Sequence, residues 1–111
     1  MKKFLVLYEA PNASFEQMMK TPPEQQKAFT DLWMAWTDKA KAAFVDQGAP
    51  LGKSLKVTAG GASPTKNTLG GYSIMQGESK EALADVLKGH PHFKMPDAYI
   101  EIVELVPMPG A

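Results

Sequence analysis

The chain has 111 residues, 44% hydrophobic and 22% charged, which fits one soluble domain spanning residues 1–111. Twelve lysines balance twelve acids, and there is no arginine and no cysteine. Charge balance without guanidinium groups argues against a nucleic-acid partner, and the missing thiols exclude disulfides, thiolate nucleophiles and cysteine-based zinc sites.

The chain opens with MKKFLVLYEAP. A basic pair before an apolar run has the outline of a signal peptide, but the run is five residues long and no small-residue cleavage site follows. Phe4 to Tyr8 reads instead as a strand, apolar on both faces and therefore central in its sheet. The expected location is cytoplasmic. No stretch approaches the ~20 apolar residues that cross a bilayer.

Pro11 and Asn12 break the strand, and SFEQMMK makes about two helical turns with Asn12 or Ser14 as cap. A long helix is expected from Thr21 to Gln47. Thr21 is the predicted N-cap, prolines fill the first turn, Glu24 completes a capping box, and Gly48 is the stop. Phe29, Trp33, Trp36, Ala40 and Phe44 recur at spacings of three and four and form its apolar face.

LGKSLKVTA alternates weakly and reads as the second strand, near the sheet edge. GGASPTKN reads as a loop; it lacks the GK[ST] ending and the strand-to-helix setting of a phosphate loop. TLGGYSIMQGE is the third strand, with Tyr72 and Ile74 on one face and Ser73 and Met75 on the other. A second helix follows, capped by Ser79, striped by Ala82, Leu83, Val86 and Leu87, and ended by Gly89. AYIEIVELVPMP is the last strand.

Two βαβ units in this order give an α+β fold: a ferredoxin-like, four-stranded antiparallel sheet with helices on one face. The first and last strands are apolar on both faces, so the second face needs a cover as well. A second copy of the same sheet supplies it, making a homodimer and a dimeric α+β barrel.

Several segments resemble the YCII-related, DGPF-type family: KKFLVLYEAPN, the W-x-x-W of the long helix, DQGAPLG, GGYSIMQ, GHPHF and IEIVELVPMPG. The likeness covers nearly the whole chain, and the order and spacing of the pieces carry it. It implies the dimeric α+β barrel. It also implies small-molecule binding, in some members as lyase- or dehydrochlorinase-like enzymes with a His and an Asp at one end of the barrel. The alternative it implies is a non-catalytic binding or regulatory module associated with sigma factors. Glu9 stands where those enzymes place the Asp, and Gln25 or Gln26 where they place a His in the first turn of the long helix. Glutamine exchanges no protons near neutral pH.

The predicted topology brings Glu9, Gln25, Gln26, His90, His92 and the Gly-rich loop to one rim, with Asp46 at the opposite end. One reading makes His92 or His90 a general acid or base oriented by Glu9, over a pocket formed by Gln26, Trp33, Trp36 and Tyr72. The other makes Gly89-His90-Pro91 a helix stop and the two tryptophans core packing. His-x-His in a loop is a weak metal signal, so no metal and no cofactor is expected.

Overall fold

In the computed structural model, which describes residues 1–110, the first strand β1 (Lys2–Glu9) is central, as its two apolar faces require. Two helices follow, α1 (Asn12–Met19) and α2 (Pro23–Lys39). A single 3-10 turn then leads into β2 (Phe44–Pro50). A separate hairpin is built from β3 (Ser54–Thr58) and β4 (Gly61–Thr65). The chain returns as β5 (Leu69–Gly77), α3 (Lys80–Leu87), a 3-10 turn (Pro91–Lys94) and β6 (Tyr99–Glu104).

The main sheet has the order β2-β5-β1-β6, antiparallel throughout. This is the expected ferredoxin-like α+β arrangement. Alternation along β1 sends Phe4, Val6 and Tyr8 to the helix side, where they form the core with Met75, Leu83 and Leu87. Trp33, Trp36 and Phe44 pack against this cluster. The opposite side carries Leu5 and Leu7, paired with Val103 and Glu101 on β6 and with Ile74 and Tyr72 on β5. Leu5, Leu7, Tyr72 and Ile74 are half-buried, and Val103 is exposed.

Four local expectations are corrected. The long helix ends at Lys39, and DQGAP is not its tail but strand β2 of the main sheet. Pairing with β5 outweighs the helix propensity of Ala40–Ala43. Gly48 is therefore not a helix stop; at φ +75° it forms an irregularity in β2, where a Cβ would overlap the Tyr72 carbonyl. LGKSLKVTA is a strand but lies outside the main sheet, paired with the former loop GGASPTKN as the β3–β4 hairpin. The caps differ too. Thr21 donates to the Met18 carbonyl, the capping position is Pro22, and Gln26 instead of Glu24 reaches back, its amide within 3.1–3.2 Å of the Met18, Met19 and Thr21 carbonyls. Neither Asn12 nor Ser14 caps α1; Ser14 is buried and donates to the Pro96 carbonyl at 2.6 Å, pinning α1 to the approach to β6. Ser79 caps α3 as expected, accepting from the Ala82 amide. In that helix Leu83 and Leu87 are buried while Val86 is exposed.

Candidate functional site

The end of α3 sets the position of both histidines. Pro91 cannot continue the helix, and the chain turns through Pro91–Lys94 toward β6. His90 caps this turn: its Nδ1 accepts the His92 amide at 2.9 Å. That bond requires Nδ1 to be unprotonated, so the proton of the neutral ring sits on Nε2. Nε2 is buried without a hydrogen-bond partner. Around it stand aromatic rings: Trp33 and Trp36 with centroids 4.3 Å from the imidazole, and Tyr8 at 5.1 Å. These rings form an aromatic cage around the imidazole. Burial pushes the His90 imidazole down to about 3, and the neighbouring His92 adds to the effect.

His92 is equally buried, and its Nε2 lies 2.8 Å from the backbone carbonyl of Glu9. Burial lowers its pKa, against the opposing pull of backbone contacts to Glu9 and Tyr99. Glu9 thus meets His92 through its backbone and not through its side chain. The ring meets the carbonyl and not the carboxylate, and both histidines are held neutral. Beneath them the Tyr8 hydroxyl lies 2.9 Å from Ser73 Oγ, which itself donates to the Gln47 carbonyl at 2.8 Å. Burial raises the Tyr8 phenol above its usual value, partly offset by Ser73.

The Glu9 carboxyl belongs to the other side of the sheet. Glu9 is 5% exposed; Oε1 accepts the Thr68 hydroxyl at 2.6 Å, and Oε2 is buried with no donor. In the β1–β6 register Leu7 faces Glu101 and Glu9 faces Tyr99, so Glu9 and Glu101 are diagonal neighbours on one face. A hydrogen bond to Glu9, together with its charge, raises the Glu101 pKa above the ordinary carboxylate value.

The remaining nominated residues do not assemble as expected. Tyr72 lies on the face opposite Trp33 and Trp36, so the three do not line one pocket. Gln26 is fixed by its three carbonyl contacts. It alone of the nominated set lines a cleft of about 1250 Å³ between α1, the start of α2 and the base of the hairpin. The cleft walls include Phe15, Met18, Phe29 and Leu51, and Asn67 and Leu69 flank the Thr68 that holds Glu9. Gln25 is exposed, and Asp46 lies within β2, where its carboxyl accepts the Gly48 amide. Among the described residues no cluster of three or more His, Asp or Glu side chains has the arrangement of a metal site. No described helix is long and apolar enough to cross a membrane.

Glu101 is the residue that sequence reasoning missed. Its position beside Glu9 appears only once β1 and β6 are paired, with Tyr99 opposite Glu9 and Glu101 two residues further along β6.

No family model matches this chain, and no curated protein matches it. Among solved structures, it is similar to 5-chloro-2-hydroxyhydroquinone dehydrochlorinase from Burkholderia phenoliruptrix AC1100, in complex with 2,5-dihydroxybenzoquinone. The identity is 16%, the TM-score 0.49, and the alignment covers 91% of each chain. This likeness concerns the path of the chain alone.

Proposed function

We propose that this protein is a homodimeric small-molecule-binding protein of YCII-related type, with a proton-transfer site built on Glu9 and Glu101. The observation that carries the reading is the carboxyl pair: Glu9 is buried and accepts from Thr68, and the exposed Glu101 is its diagonal neighbour across β1 and β6, raised by it. A pair that shares one proton holds a base and an acid together. A lyase-type elimination needs both, one to take a proton from carbon and one to give a proton to the leaving group. His92 serves as a positioning residue, because it fixes the backbone from which Glu9 projects. The family resemblance of the sequence points to the same class of chemistry.

The proposed dimer draws on the sheet. Its second face exposes Val103 and Tyr99 and covers Leu5, Leu7, Tyr72 and Ile74 only partly. A second copy of that face is the cover of matching size and pattern. A binding module without catalysis is the second reading. It draws on the two neutral histidines, which lie in the core and line neither of the two clefts described among these residues.

Deuterium exchange separates the two. The protein is incubated in D2O with a panel of small enolisable and phenolic compounds, and uptake at carbon is followed by NMR alongside ligand binding. The proposed site predicts catalysed uptake for at least one bound compound, lost in Glu101→Gln and Glu9→Gln while binding persists. Binding without exchange in the wild type establishes the module instead.

A further inference from the structure

The cleft between α1, the start of α2 and the base of the hairpin is lined by neither Glu9 nor Glu101. At about 1250 Å³ it is roomy enough for a small organic ligand. One side of it is apolar. Phe15 and Met18 from α1, Phe29 from α2 and Leu69 at the start of β5 are half-buried there, and Leu51 is exposed beside them. The flexible thioether of Met18 lets this wall adapt to what lies on it.

The other side is positive. Lys53 and Lys66 line it, and they are the next residues on the two hairpin strands beyond the Ser54–Thr65 pair. Lys20 joins them from the end of α1. Among the described residues Glu16 is the one acid in the lining, and none of the three lysines makes an ion pair. From Gln47 to Gly77 the chain holds no acid at all. Like charges on neighbouring strands repel, so two ammonium groups are kept together with no protein anion to offset them. Their backbone is fixed in advance. Ser54 Oγ donates to the Thr65 carbonyl at 3.1 Å, and Asn67 donates to Ser54 Oγ at 3.0 Å while accepting the Leu69 amide at 2.9 Å. The Leu51 amide donates to the Gly70 carbonyl at 3.0 Å. A cleft with apolar walls and one sign of charge concentrates ions of the opposite sign.

We infer that this cleft binds a small amphipathic anion, with a single acidic head at Lys53 and Lys66 and an apolar body along Phe15, Met18, Phe29 and Leu51. A purely polar anion would leave the apolar wall wet, and a neutral apolar compound would leave the lysines uncompensated. Lysine is a point charge without the bidentate fork of arginine, so the site selects the charge of the head and the apolar area of the body. It is independent of the Glu9–Glu101 chemistry and of the dimer.

Nitrogen-15 NMR and calorimetry test this with three probes of one chain length, decanoate, decanol and decylammonium, and with acetate. Decanoate should bind saturably at one site, move amides 15–19, 26–30, 51–54 and 65–70, and bind about tenfold or more tightly than the other three. Added sodium chloride should weaken decanoate and not decanol. Lys53→Gln with Lys66→Gln, at exposed positions, should keep the circular dichroism of the wild type, weaken decanoate about tenfold or more and leave decanol unchanged. Decanol binding as tightly as decanoate would mean an apolar groove without charge selection and overturn the proposal. Acetate binding as tightly would mean a bare anion site and overturn it as well. Shifts centred on residues 5–9 and 99–103, decanoate affinity untouched by salt and by the double variant, or no saturable binding would each do the same.

Discussion

His92 Nε2 stands 2.8 Å from the backbone carbonyl of Glu9, while the Glu9 carboxylate turns away to the Thr68 hydroxyl. One residue thus joins two sides of the sheet: its carbonyl belongs to the buried histidine layer and its side chain to the open face. The histidines set the position of the acid without exchanging protons with it.

Their neutrality has a consequence for stability. His90 falls from about 6.5 when unfolded to about 3 when folded, and His92 is lowered as well. A base with a depressed folded-state pKa binds its proton mainly in the unfolded state. The stability contributed by neutral His90 is therefore complete above about pH 6.5 and is lost as pH falls from there toward 3, by up to about 1.4 kcal/mol per pH unit, and His92 acts in the same direction. Urea unfolding at pH 7.5, 6 and 5 should show this slope, and His90→Asn should flatten it. Proton NMR should find His90 not titrating between pH 8 and 6, and His92 gaining its proton below the ordinary histidine value. A histidine that gains a proton near pH 7 in the folded protein would contradict the cage.

Gly48 is the next test. Its φ of +75° and the Tyr72 carbonyl against its α-carbon leave no room for a side chain. Gly48→Ala should cost about 3 kcal/mol or more in chemical denaturation, by forcing β2 away from β5. Gly52→Ala, with open space around it, should stay within about 0.5 kcal/mol. Equal costs at the two positions would refute the close approach.

Trp36 packs on Phe44 and His90 from a helix none of whose residues is fully buried. Trp36→Ala should cost about 2–3 kcal/mol, below the roughly 3–5 kcal/mol of a fully buried tryptophan. It should also raise the His90 pKa toward its ordinary value as water enters the cage. An unchanged melting temperature, or an unchanged His90, would remove Trp36 from this role.

How much of this was legible beforehand follows the physics of each signal. The α+β fold class, three of the four strands of the sheet (β1, β5 and β6), the two faces of TLGGYSIMQGE and the Ser79 cap could be read, because alternation and capping are local. The end of α2 could not: Ala40-Lys41-Ala42-Ala43 favours helix, and only pairing with a strand thirty residues away ends it. The hairpin was hidden because its glycines and Pro64 have the composition of a loop. The rim residues His90, His92 and Glu9 did come together. Which atom of Glu9 meets His92 could not be read, since a sequence names side chains but not the carbonyl that faces the ring. Glu101 emerges only from the register of β6 on β1.

The central claim is that Glu9 and Glu101 share a proton on the open face. Carbon-13 NMR of the glutamate side-chain carboxyls measures this directly across pH 3 to 8, in the wild type and in Glu9→Gln. The account predicts that Glu101 titrates above the ordinary glutamate value in the wild type and returns toward it when Glu9 is neutralised. A Glu101 that titrates at the ordinary value, and does not move when Glu9 becomes glutamine, would contradict the pair and the function built on it.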